Sequence, residues 1–151
     1  MDRSTIDEQL KALGESVYNT YKNGKVLDYL PNILNPEENI LAVCAGTIVK
    51  RGWLFVLTEQ RLLMLSKGFF SKFKYDQLLI EHIDGVAHMP GLMLDKVQLN
   101  VRGKAVVLQI LIKEDAPRLT GPLIELLRQS AEQEENAQEQ NDASDEPEQA
   151  S

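Results

Sequence analysis

Trp53-Leu54-Phe55-Val56-Leu57-Thr58-Glu59-Gln60-Arg61-Leu62-Leu63-Met64-Leu65-Ser66 decides the fold. Two short apolar runs, 53–58 and 61–66, are separated only by Glu59-Gln60. Neither run is long enough for an ordinary helix, and a polar tight turn between two such runs reads as an antiparallel hairpin.

Working outward, the same punctuation repeats. Ile40 to Val49 is nearly all apolar and is followed by Lys50-Arg51-Gly52, which reads as a turn. Lys67-Gly68 turns into a strand over Phe73 to Asp76. Ile83 to His88, Leu94 to Val101 and Ala105 to Ile112 follow, separated by Pro90-Gly91 and Arg102-Gly103-Lys104. Seven short strands without alternating helices imply an antiparallel sandwich or barrel. After Lys113 the period changes. Leu119, Leu123, Ile124, Leu126 and Leu127 mark the apolar face of a closing helix, with Asp115 as its N-cap. Pro122 cannot donate to the carbonyl of Arg118, so a kink or restart is expected at Gly121-Pro122. The leucine face should plug one open end of the barrel.

Before the strands, Ser4 to about Lys22 reads as one amphipathic helix, with Ser4 and Asp7 placed as a capping pair and Asn23-Gly24 as the stop. Its stripe is Ile6, Leu10, Leu13, Val17 and Tyr21. A lone amphipathic helix of this length must bury its stripe. The face is therefore either packed on the chain's own barrel or a candidate assembly face for a second copy or a partner. Asn35-Pro36-Glu37-Glu38 suggests a further helical turn. Three regions result: residues 1–38 as helical lead-in, 39–129 as the β-rich domain with its helix, and 130–151 as an acidic tail. The tail has eight acidic residues, no Lys or Arg, and no aromatic or β-branched residue, so it is expected to be disordered. The formal charge of −7 belongs to it, because residues 1–129 hold 16 basic and 15 acidic residues.

Leu30-Pro31-Asn32-Ile33-Leu34-Asn35-Pro36-Glu37-Glu38, together with Val56 to Leu65, resembles bacterial pleckstrin-homology-like domains of the YokE-like type. Those carry a leucine-proline lead-in ending in glutamate, a Thr-x-x-Arg turn between the second and third strands, and a closing helix. The resemblance spans about Leu30 to Gln129. It departs at Glu59, where Asn or Asp is common, and at Gly121-Pro122, which interrupts the final helix. It implies a mainly β fold: a seven-stranded antiparallel, partly open barrel capped by a C-terminal helix, here preceded by an N-terminal helical extension. Fold alone does not give function.

The chemistry-bearing residue types do not assemble into a catalytic set. Cys44 is the single cysteine and sits in Ala42-Val43-Cys44-Ala45, an apolar setting for a small buried hydrophobe. His82 and His88 lack metal-ligand spacing, and no metal or cofactor is expected. Nor is there a phosphate-cradling glycine loop or a nucleophile–base pair. Between residues 50 and 74 six basic residues face one acid, Glu59. Lys50, Arg51, Lys67, Lys72 and Lys74, with Phe69 and Phe70 between them, are candidate contacts for an anionic ligand or a membrane surface. The longer basic hairpin of phosphoinositide binders is absent, since Gly52-Trp53-Leu54 follows Arg51 directly. The overall reading is a non-enzymatic protein-interaction or self-assembly module whose partner is another protein or a second copy. The alternative is peripheral binding to anionic membrane lipids through residues 50–74. Nucleic acid is not expected of a near-neutral domain. With no apolar run long enough to span a bilayer and a polar N-terminus, the expected place is the cytoplasm, at the inner face of the membrane in the alternative.

Overall fold

All seven expected strands form: β1 (Ile40–Ile48), β2 (Arg51–Thr58), β3 (Arg61–Lys67), β4 (Phe73–Leu79), β5 (Ile83–Met89), β6 (Asp95–Val101) and β7 (Lys104–Ile110). They build one antiparallel open sheet in the order β4-β3-β2-β1-β7-β6-β5. This is a computed structural model, and it describes residues 1–67 and 72–145. The helices are α1 (Arg3–Ala12), α2 (Glu15–Tyr21), α3 (Leu30–Ile33) and α4 (Asp115–Asp145), with 3₁₀ turns at Lys25–Tyr29 and Ile80–His82.

The two halves of the open sheet meet at β1, which pairs with β2 along its whole length but with β7 only at Gly46–Ile110 and Thr47–Gln109. Gly46 is what permits that crossing. A Cβ there would lie 2.2 Å from the Gln109 carbonyl oxygen and 2.8 Å from Phe55 Cε2.

The run quoted at the outset is apolar without alternation because both faces of β2 and β3 are dry. Phe55, Leu57, Leu62 and Met64 point into the barrel core with Cys44, Val97, Leu99, Leu108 and Ile110. Val56, Leu63 and Leu65 point the other way, into a second core with Ile40 and Val43. The N-terminal segment covers that outer face with Ile6, Leu10, Val17, Tyr21, Leu27, Leu30 and Leu34. Leu13 is only half-buried at its margin. The Tyr29 ring stacks on Phe73 at 4.0 Å, tying the lead-in to β4.

A buried ion pair joins the lead-in to the sheet. Glu38 is fully buried and accepts from Arg61 Nη2 at 2.7 Å, from Thr58 Oγ1 at 2.8 Å and from the Asn35 N–H at 3.1 Å. Arg61 also donates to the Ile33 carbonyl at 2.8 Å and to Gln77 at 2.7 Å. These are the residues behind the glutamate lead-in and the Thr-x-x-Arg turn. Glu59, the departure from the common turn, accepts the Asn39 N–H at 2.9 Å.

Several local expectations are corrected. The N-terminal helix is two helices, broken where Gly14 takes φ 126°, a left-handed conformation that glycine adopts without strain. Its N-cap is Asp2, which accepts the Thr5 N–H at 2.9 Å, not the Ser4–Asp7 pair. Asn35 to Glu38 is a turn and not helical, because Glu38 folds inward to Arg61. The helix α4 runs through Pro122 without restarting. Leu119 and Leu123 plug the barrel, whereas Ile124 is exposed. The helix α4 runs past residue 130 to Asp145, and the remainder of the acidic tail, 146–151, lies outside the described residues. The helical part is rich in Ala, Glu and Gln, which are strong helix formers, and Arg128 bonds Glu125 and Glu132 at the spacing that supports an exposed helix.

Two substitutions test this framework. Gly46→Ala should lower unfolding free energy by about 3 kcal/mol through overpacking against backbone, read by urea titration; a neutral result would show that β1 and β7 can separate. Burial pushes the Glu38 carboxyl up, but the hydrogen bonds from Arg61, Asn35 and Thr58 outweigh it and hold it below the usual range. A depressed folded value stabilises above the unfolded pKa, about 4.3 for Glu, and that stabilisation is lost as pH falls through the folded value. Arg61→Leu should therefore cost about 3–5 kcal/mol at neutral pH by stranding a buried charge. The deficit should shrink as pH falls below about 4.3 and on through the depressed folded value, where Glu38 becomes protonated. A deficit unchanged by acid would show that packing of Arg61, rather than its charge, is what matters.

Candidate functional site

The topology brings the β1–β2 turn, the end of β3 and the start of β4 to one end of the sheet. The β1–β2 turn is Val49-Lys50, one residue earlier than the sequence suggested, with Arg51 already in β2. Both turn residues have positive φ, 47° and 67°. Two-residue hairpin turns of this kind favour Asn and Gly, and a β-branched residue there is strained. Val49 is also 92% exposed, so no burial offsets that strain.

Behind this end lies an apolar recess of about 420 Å³, lined by Ile48, Trp53, Met64, Leu78 and Val106, with Arg51 and Asp76 at its rim. The Arg51 guanidinium sits over the Trp53 ring at 4.5 Å, a cation–π contact that fixes the charge beside the opening. The register brings Lys50 and Arg51 to the same end as Lys67, Lys72 and Lys74. Phe69 and Phe70 lie outside the described residues.

Sequence reasoning did not single out Arg102 and Lys104, which flank Gly103 in the β6–β7 turn, beside the β4–β5 connection. Arg102 has φ 50° and its guanidinium donates to His82 Nε2 at 2.6 Å. Their signal was there, a basic pair around Gly103, but only the contacts with His82 and Asp84 show where they sit. Of the six basic residues counted between 50 and 74, Arg61 leaves the set, since it is committed to Glu38.

The other predicted sites fall elsewhere. Ile6, Leu10, Val17 and Tyr21 are buried on the chain's own sheet, so the candidate assembly face is not a free surface. The Tyr21 hydroxyl bonds the Asp115 carboxylate and accepts the Ala45 N–H at 3.1 Å. Burial and then Asp115 push its phenol well up, so it stays neutral. Cys44 is fully buried, and burial likewise pushes its thiol up, away from a reactive thiolate. His88 contacts Asp95 at 2.7 Å, far along the sheet from the His82–Arg102 contact. Among the described residues no three His, Cys, Asp or Glu side chains converge as metal ligands.

A further exposed feature is the β5–β6 loop. Leu92 is wholly exposed and Met93 86% exposed. The loop is braced, not slack. Asp95 accepts the Gly91 N–H at 3.2 Å, Lys113 bonds the Gly91 carbonyl, and a Cβ on Gly91 would lie 2.1 Å from the Leu94 carbonyl oxygen. The His88 hydrogen bond, then that of Gly91, hold the Asp95 carboxyl below its usual range.

The comparisons with known proteins agree with this architecture. A profile of the family described as Bacterial PH domain matches residues 34–123, more than half of the chain. The chain belongs to the bacterial PH domain family. A DUF1696 family protein with a pleckstrin-homology domain from Shewanella loihica PV-4 is 20% identical, with 65% of this chain and 89% of that one covered and a TM-score of 0.47. A pleckstrin homology domain from Shewanella amazonensis SB2B is 22% identical, with 69% and 96% covered and a TM-score of 0.47. No curated protein matches. The matched PH region begins at Leu34, so α1 to α3 lie almost wholly before it.

The strained PH-domain tip gives a direct test. Val49→Asn should raise stability by about 1 kcal/mol, since Asn tolerates the left-handed conformation. Chemical denaturation reads it, and a loss of stability would mean that the Val49 side chain makes contacts worth more than its strain.

Proposed function

We propose that this PH domain is a non-enzymatic binding module that docks on anionic membrane surfaces through the open end of its sheet. The observation that carries the reading is the exposed Val49-Lys50 tip beside an apolar recess with Arg51 at its rim, at the end of the sheet where Lys74 also lies. An exposed apolar tip flanked by cations suits the boundary between headgroups and acyl chains, where apolar burial and attraction to anionic lipid act together. No described helix is long and apolar enough to cross a membrane, so any attachment through this end is peripheral. The lead-in ending at Glu38 and the Thr58–Arg61 turn support placement in the YokE-like group.

A protein-interaction reading is favoured by a different observation, the braced Leu92-Met93 loop. It sits at the far end of the β5–β6 hairpin from the Arg102-Gly103 turn, roughly 20 Å away at the rise of a strand.

The test is co-sedimentation with phosphatidylcholine vesicles containing one-fifth phosphatidylserine. Each Lys or Arg near such a surface contributes about 1 kcal/mol, so Lys50→Gln with Arg51→Gln should weaken partitioning on the order of 30-fold. Added salt should weaken it too. Equal binding to vesicles without phosphatidylserine, or none to either, would sink the membrane reading. Leu92→Ser with Met93→Ser should leave vesicle binding unchanged.

A further inference from the structure

From the geometry beside α4 we infer a second binding site, a slot that takes the C-terminal end of a short, extended apolar peptide by pairing with the free edge of β1. It is independent of the mouth.

The edge is free because β7 leaves β1 early. Leu111 makes the last backbone bond, donating to the Ala45 carbonyl at 3.0 Å, after which the chain turns into α4. The N-terminal helices then cover the edge with side chains instead of a strand. Tyr21 takes the Ala45 N–H at 3.1 Å, and Gln9 Oε1 takes the Ile40 N–H at 2.7 Å. Val43 lies between these two caps. Bonding direction alternates along a strand, so its N–H and C=O point the same way as those of Ala45, away from β2. Outside the strand ladders neither group has a hydrogen-bond partner among the described residues, which leaves a donor and an acceptor facing the gap.

Into that gap opens a slot of about 220 Å³. Its walls are Leu13 and Val17 from the N-terminal side, Leu41 and Val43 from β1, and Pro122 from α4, with Arg118 at the rim. An unpaired donor and acceptor on one strand residue, between apolar walls, match a peptide backbone better than a lipid chain, which could satisfy neither. Arg118 sets the polarity of the occupant. One guanidinium nitrogen is 3.3 Å from Asp115 and the side chain is 44% exposed, so the fork keeps donors with which it could bond a terminal carboxylate.

The probe is a mixture of N-acetyl tripeptides of Val, Leu and Ile with free carboxylates, titrated into the full ¹⁵N-labelled chain. The Val43 amide resonance should move saturably, with slowed hydrogen exchange. Methylating the peptide nitrogens should abolish the effect. Arg118→Gln should weaken the acids about fivefold, the loss of one exposed charge-assisted contact, and leave the corresponding amides unchanged; the same spectra report whether the variant is folded. No saturable Val43 shift would overturn the proposal and leave the slot to water. A shift indifferent to N-methylation would overturn it in favour of an apolar ligand that ignores the strand edge.

Discussion

A sheet that is apolar on both faces cannot be left wet on either, and the whole arrangement of this PH domain follows from that constraint. β2 and β3 contribute Phe55, Leu57, Leu62 and Met64 to one side and Val56, Leu63 and Leu65 to the other. Rolling the sheet and closing it with α4 dries the inner face only. The outer face needs a separate cover, and the residues before the matched region supply it. The helices α1 and α2 are short and could not persist alone. They are held because the surface beneath them has no better partner.

The polar contacts then read as fastenings of that cover. Glu38 is buried where the lead-in meets the β2–β3 turn, and Arg61 and Thr58 satisfy it there. At the other end of the cover, Tyr21 joins α2 to β1 and to the start of α4 through Ala45 and Asp115. Both fastenings combine a desolvated group with several specific bonds, so each is expensive to break by removing one partner. They also fix which edge of β1 stays covered, since Tyr21 and Gln9 occupy bonding positions that a strand would otherwise fill.

Much of this was legible in the sequence. Strand count, strand limits to within about three residues, and the closing helix follow from apolar runs and turn residues, because those signals are local. The run 53–66 carried more than was read from it. Its lack of alternation signals burial on both faces, and the stripe Ile6, Leu10, Val17 and Tyr21 is the matching cover, although nothing local joins the two. Gly14 marked the break between α1 and α2. What the sequence could not show depends on pairing between distant segments. The crossing at Gly46 comes from the β1–β7 register, and the seat of Arg102 on His82 from a contact 20 residues away, neither of which a local pattern encodes.

Charge counting shows the same limit in its sharpest form. Arg61 and Arg51 are alike to composition, ten residues apart on one strand pair. Arg61 has its donors distributed among Glu38, Gln77 and the Ile33 carbonyl, and removing it would strand a buried carboxylate. Arg51 rests on the face of Trp53, and among the described residues no carboxylate lies within ion-pair distance of it, nor of Lys50, Lys74 or Lys104. A cation paired in a dry interior is already neutralised and adds little to the field outside, whereas one held at an apolar rim without a counter-ion keeps its attraction for an external anion. The surface that matters for binding is therefore set less by how many basic residues the chain carries than by which ones the fold leaves unpaired. In this domain Arg51 is such a cation, at the rim of the apolar recess beside Val49.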